Sequence, residues 1–315
     1  MEYVRRRWNV GALLALAASE LLCLLGVWQL QIGSSLLSVN GSQKRHHHVA
    51  VYQFPHGGKT LFPNYRLVAL YGSMNYPELG ALGQQSLDAS IARVKDLAAQ
   101  YQPLTTEHVL PTFEIIATVA SGSPTDNGDY SQAVDAAVLR PWVEAARRNG
   151  VYVVLDLQPG RSDFLKQATQ YQSLLEEPNV GLALDPEWRL KPDQFPLKQI
   201  GSVEITEVNE TIWWLSKLTA EHKLPQKLLL LHQFRLDSLP NRDQLDISHR
   251  NLAYVIQMDG QGSQQAKQDT WQAVTANPPQ NVQFGWKNFY REDHPMLDPV
   301  GTMELVPQPR YVSYQ

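Results

Sequence analysis

The chain has 315 residues, 27 basic and 31 acidic, a formal net charge of −4, and 43% hydrophobic against 18% charged residues. That balance excludes a disordered chain, and the lack of a cationic excess argues against nucleic acid, whose phosphates need Lys and Arg gathered on one face. The single cysteine, Cys23, excludes a disulfide framework and a cysteine-based zinc site.

Arg5, Arg6 and Arg7 precede the run Val10 to Leu30, which is apolar apart from Ser19, Glu20 and Gln29. Some twenty helical residues at ~1.5 Å each span ~30 Å, the thickness of a bilayer core. Residues 1–30 are therefore expected to form a signal anchor, a transmembrane helix with its basic flank in the cytoplasm and the rest of the chain extracytoplasmic. A cleaved signal peptide, leaving a secreted protein, is the competing reading, but no small-x-small site follows the apolar run. Glu20-Leu21-Leu22 before Cys23 does not make a lipobox. Residues 31–50 are polar, end in Lys44-Arg45-His46-His47-His48, and read as a linker to a domain over 51–315.

In that domain short apolar runs alternate with helical stretches. The strand-like runs are Leu67–Tyr71, Thr112–Thr118, Val151–Asp156, Val180–Asp185, Lys227–His232, Leu252–Met258, Val282–Trp286 and Tyr311–Tyr314. Leu87, Ile91, Val94, Ala98 and Tyr101 form the stripe of an amphipathic helix. Pro141 suits a helix first turn, and Gly150 a helix stop. Val208–Thr219 and Gln264–Thr275 read as further helices. Eight strands with helices or long crossovers in about 250 residues predict a (β/α)8 TIM-type barrel, with the eighth helix absent after the last strand. A doubly wound sheet is the alternative, but no Gly-rich phosphate loop follows the first strand.

In such a barrel chemistry sits where strands end. Acids fall there repeatedly: Asp156, the pair Asp185 and Glu187 in Leu184-Asp-Pro-Glu-Trp188, and Asp259 after Met258. His232, Gln233 and Lys287 stand at two further strand ends, and Glu114 inside the second strand. Side-chain alternation puts Gly181, Ala183, Asp185 and Glu187 on one face, with Leu182 and Leu184 on the other. Both acids then point over the barrel mouth, ~6–7 Å apart along the strand, where like charges raise one pKa toward that of a general acid.

A lone Asp at a strand end is usually a helix cap or turn former, and Asp163 and Asp237 are read so. Four convergent acids at three strand ends fit caps poorly. Glu114 has the plain alternative of a structural ion pair. Trp188 and Trp286 offer flat faces for sugar rings, although buried Trp residues are more often packing; Trp213 and Trp214 are assigned to packing between helix and barrel.

Asp185-Pro186-Glu187 resembles the D-x-E signature of glycoside hydrolases of the family 18 chitinase and family 25 lysozyme kinds. The resemblance implies that Glu187 is the general acid, assisted by Asp185. Met258-Asp259 is similar to the sixth-strand motif of family 18. The longer D-x-x-D-x-D-x-E run is absent, since Gly181-Leu182-Ala183 precedes Asp185, and the seventh strand carries Trp286 and Lys287 where the large retaining clan carries its nucleophile. Taken whole, LDLQPGRSDF, LALDPEWRL, QMDGQG and FGWKNF resemble an uncharacterised bacterial secreted protein family, which implies no activity.

The expected function is hydrolysis of a cell-wall or extracellular polysaccharide, or an oligosaccharide of it. Glu187 is the acid, Asp185 or Asp156 the base, nucleophile or stabiliser, and Asp259, Glu114, His232, Gln233, Trp188, Trp286 and Lys287 bind substrate. No metal or other cofactor is called for. The alternatives are a barrel that binds glycans without cutting them and a metal-assisted hydrolase using Asp156, Asp185, Glu187, Asp259 and His232.

Overall fold

The computed structural model describes residues 52–315. The expected anchor and linker lie outside them. Among the described residues no helix is long and apolar enough to cross a membrane.

Eight parallel strands follow the apolar runs: β1 (Tyr65–Gly72), β2 (His108–Ala120), β4 (Tyr152–Leu157), β5 (Val180–Leu184), β6 (Lys227–His232), β7 (Leu252–Met258), β8 (Gln283–Asn288) and β9 (Tyr311–Tyr314). Each pairs with the next in this order, and β9 pairs back onto β1 with Leu67 opposite Tyr311, so the sheet closes into a barrel. One short antiparallel strand, β3 (Ser131–Ala133), pairs with the end of β2 and was not foreseen.

The connections include α1 (Leu87–Tyr101), α2 (Ala136–Arg148), α3 (Phe164–Gln170), α4 (Gln172–Leu175), α5 (Ile205–Glu221), α6 (Gln264–Thr275) and α7 (Pro299–Met303). From β6 to β7 the chain makes only short 3-10 turns, over Leu236–Ser238 and Arg242–Gln244. Asp163 caps α3 by accepting from the Lys166 N–H at 2.7 Å, as a turn-forming Asp should. Gly150, at φ +69°, follows α2 in the left-handed region that ends helices. Pro141 is not in the first turn: the cap is Asp135, which accepts from the Ala137 N–H, so the helix starts one turn earlier and Pro141 lies inside it.

Alternation along the strands sorts the core into two layers. Val153, Leu155, Leu182, Leu184, Leu229 and Leu231 face the helices. Leu67, Ala69, Leu110, Val154, Ala183, Leu228, Leu230 and Tyr311 fill the barrel. At Gly181 a Cβ would stand 2.8 Å from the Leu228 carbonyl oxygen and 3.0 Å from the Tyr152 hydroxyl, so the interior there admits only glycine. Trp213 does not pack against the barrel. It lies on the face of α5 opposite Val208, Ile212 and Leu215 and is 57% exposed, whereas Trp214 is partly buried against the core.

Candidate active site

The inward parity that carries aliphatic residues through the barrel carries polar ones at its C-terminal end. Leu67 and Ala69 lead to Tyr71, Leu110 and Thr112 to Glu114, Tyr152 and Val154 to Asp156, Leu228 and Leu230 to His232, Ala253 and Val255 to Gln257 with Asp259 just past the strand end, and Gly285 to Lys287. One rule of chain geometry thus builds both the plug and the charged layer above it.

His232 sits at the centre of this layer, fully buried. Its Nδ1 lies 3.1 Å from Asp259 Oδ2, and its Nε2 lies 2.9 Å from Glu114 Oε1 and 3.6 Å from Asp156 Oδ1. The Tyr71 hydroxyl donates to Asp156 Oδ2 at 3.0 Å, and the Tyr311 hydroxyl donates to Glu114 Oε2 at 2.9 Å. Lys287 holds its ammonium 3.4 Å from the centroid of the Tyr71 ring. Gln233 accepts from Arg242 at 2.8 Å while its amide nitrogen is buried and unpartnered.

Asp185 and Glu187 reach this layer by a route other than strand alternation. β5 stops at Leu184, and Pro186–Trp188 form a 3-10 turn. Proline suits that turn's first position because its φ is already set and its missing N–H is not needed there. The turn, not the pleat, brings one carboxylate oxygen each of Asp185, Glu187 and Asp259 within 4.8 Å of one another. This is closer than the spacing along an extended strand.

Burial lifts the carboxyl pKa values here. Glu187 is raised well above its ordinary value by burial and by the charges of Asp185 and Asp259. Asp185 is likewise raised by burial and by Asp156 and Asp259, against the opposing pull of His232. Burial brings Asp156 to about 6, with His232 opposing and Glu114 assisting. Burial alone would lower His232, but Asp156, Asp259 and Glu114 outweigh it and hold the imidazole well above its ordinary range. The layer thus favours the protonated forms of His232, Asp185 and Glu187.

Buried oxygens with no hydrogen-bond partner gather at the same place: Asp185 Oδ1, Glu187 Oε2 and Asp259 Oδ1, with Asp156 Oδ1 nearby in the layer. These acceptors have no protein donor in hydrogen-bond reach, so a donor-bearing ligand or solvent can bond them. The three converging oxygens would also suit a hard divalent cation.

The structure does not bring Trp286 to the site. With inward Gly285 and Lys287 on either side, Trp286 points outward, fully buried against Trp271 of α6 at 5.6 Å, and its Nε1–H donates to Asn288 at 2.8 Å. Trp188 stands half-buried beside Glu187 at the rim. Tyr71 and Tyr311 are not among the expected site residues: Tyr71 was readable from its inward parity at the end of Leu67-Ala69-Tyr71, whereas Tyr311 opens β9 and reaches Glu114 through its long side chain.

No family model matches the chain, and no curated protein matches it. Among solved structures it is similar to a xylanase and α-amylase inhibitor protein at 13% identity over 79% of this chain and 92% of that one, with a TM-score of 0.42. A related inhibitor solved with trehalose gives 13% identity, the same coverage and a TM-score of 0.43. A mutant form of Thermotoga maritima Cel5A with cellobiose gives 9% identity over 80% and 88% of the two chains, with a TM-score of 0.38. At these values the likeness assigns no activity and no residue role.

Proposed function

We propose that this protein is an extracytoplasmic glycoside hydrolase acting on a polysaccharide or oligosaccharide by carboxylate chemistry, as its D-x-E resemblance to family 18 and family 25 enzymes implies. One observation carries the reading: Glu187, whose pKa burial and its neighbours hold well above the ordinary value, has a carboxyl oxygen within 4.8 Å of one of Asp259 at a barrel mouth. A raised carboxylic acid beside a second carboxyl group is the machinery of glycoside cleavage.

In this reading Glu187 gives its proton to the glycosidic oxygen as the C1–O bond breaks. Asp259, whose Oδ1 has no partner while Oδ2 faces His232, attacks C1 and forms the glycosyl ester. Water then attacks C1, returning its proton to Glu187 and freeing Asp259. The short spacing favours this retaining course over inversion, which needs roughly 6.5–9.5 Å between the carboxyls. Asp185, beside both, is the third carboxyl of the cluster. Asp156 is held by Tyr71 and His232, so it takes a supporting place and not the nucleophile's. Gln233 and Lys287 are left to contact substrate hydroxyl groups.

The test is incubation of the full chain with chitin oligomers, peptidoglycan and neutral polysaccharides, read by mass spectrometry, with Glu187→Gln alongside. Cleavage by the native chain alone supports the reading. Equal cleavage by both removes Glu187 from the role, and binding without cleavage by either identifies a glycan-binding barrel.

The convergence of Asp185, Glu187 and Asp259 favours one second reading, a metal-assisted hydrolase. Elemental analysis and chelator sensitivity decide it: activity that survives exhaustive chelation belongs to the carboxylates alone.

A further inference from the structure

If Glu187 protonates the leaving oxygen, whatever lies beyond that oxygen must sit in the space Glu187 shares with its neighbours on the outer side. That space is a hollow of about 290 Å³ lined by Glu187, Trp188, Leu197, Lys198, Gln199 and Ile200. Its outer wall is the loop between Leu190 and Gly201. The loop is closed at its base, where the Gly201 N–H donates to the Glu187 carbonyl at 2.6 Å and the Ser202 N–H to the Arg189 carbonyl at 3.0 Å. Farther out, the Arg161 guanidinium lies 4.4 Å from the Tyr130 ring and 4.6 Å from the Phe195 ring, and donates to the Gln194 carbonyl at 2.9 Å. The loop is therefore fastened to the barrel at both its base and its middle.

Beside the exposed Lys198, this fastened loop displays two aliphatic side chains at the hollow. Leu197 is 78% exposed and Ile200 45% exposed. Leu197 also stands at φ +64°, a left-handed conformation that strains a residue with a Cβ. A single exposed leucine needs no explanation, but a strained one held beside the half-buried Glu187 does. Ile200 also borders a second, polar hollow with Gln199, Ser202, Arg235 and Asp237, so the apolar surface ends at Ile200.

We propose that Trp188, Leu197 and Ile200 form the leaving-group subsite and that it takes an aliphatic chain, so that the substrate is a glycoside of an alkyl- or acyl-bearing aglycone, a glycolipid. This rests on the assignment of Glu187 as the acid and names the substrate class of that site. Two of the three apolar walls are branched aliphatic side chains standing into solvent, which suit a chain better than the flat face of a pyranose. Covering such side chains removes apolar surface from water, which favours binding of a chain.

The test reads binding, so it stands whether or not the protein turns a substrate over. The full chain, with Leu and Ile methyl groups labelled for NMR, is titrated with hexyl glucoside below its micelle concentration, with methyl glucoside, and with cellobiose. The expected result is a saturable shift of the Leu197 and Ile200 methyl signals by hexyl glucoside, with a Kd at least tenfold below those of the other two. That preference should fall below twofold in Leu197→Ser/Ile200→Ser, while distant methyl signals stay unchanged. Tighter binding of cellobiose at the same methyl groups would replace the chain by a second sugar, and no saturable shift with any probe would overturn the subsite. Loss of the Glu187 assignment would show separately, as activity retained in Glu187→Gln.

Discussion

His232 Nδ1 lies 3.1 Å from Oδ2 of Asp259, and this contact joins the two ends of the charged layer. The opposite ring nitrogen faces Glu114 and Asp156, so both nitrogens have carboxylates before them and the ring is stable there as an imidazolium. Its charge offsets Asp259, and Asp259 in turn helps keep Glu187 protonated. The histidine is thus a fixed countercharge that sets which acid of the cluster keeps its proton.

Replacing Glu187 by Gln should lower kcat by roughly 10²–10⁴-fold, the usual contribution of a positioned general acid. Because Glu187 is already neutral in the folded chain, the amide should leave the thermal midpoint within a degree or two. Steady-state kinetics and a melting curve on the same sample check both halves. A large loss of stability would mean that Glu187 is ionised and holding a partner.

Stability should fall as pH rises. Asp156 is raised from 3.8 in the unfolded chain to about 6, so the folded state binds the proton more tightly and that contribution is lost as pH climbs through 4 to 6. Asp185, Glu187 and His232, all raised, act in the same sense and carry the loss to higher pH. For Asp156 the shift corresponds to on the order of 3 kcal/mol. Asp156→Asn should therefore melt higher than the native chain at pH 7, and the gap should close toward pH 4. Melting curves at half-unit pH steps measure it, and a gap that is constant with pH would refute the assignment.

Gly181→Ala should destabilise the barrel by about 1–3 kcal/mol, because its methyl group meets the Leu228 backbone oxygen and the Tyr152 hydroxyl and neither can withdraw from a filled interior. Chemical denaturation gives the value. A neutral change would show that the barrel breathes at this level.

Trp286→Phe should cost about 1–3 kcal/mol of stability by leaving the Asn288 oxygen without its indole donor, yet leave KM within twofold. A raised KM at unchanged stability would return Trp286 to the substrate.

Much of the fold was legible because buried parallel strands read as unbroken apolar runs, and all eight barrel strands fall on the expected ones. The site was legible where parity alone decides direction: the rule that turns Asp156 and His232 inward also turns Trp286 outward, so its placement at the rim misapplied a usable signal. Glu187 is the opposite case. Extended alternation was the wrong path, since the strand ends before Asp185, yet the Pro186 turn delivers the side chain to the same mouth. The β3 hairpin and the Leu190–Gly201 loop were not legible, because they depend on contacts such as Arg161 with Tyr130 and Phe195, residues far apart in the chain.

The pairing of β9 with β1 has a consequence for synthesis. Tyr311–Tyr314 lie more than two hundred residues after the strand they seal against, so as the chain is made the outer edges of β1 and β8 remain unpaired until those residues emerge. Open parallel edges invite pairing between nascent chains, and slow completion lengthens that exposure. A chain cut after Asn288 would keep its apolar strands with no partner to close them, and it should be recovered as aggregate, not as a smaller folded protein.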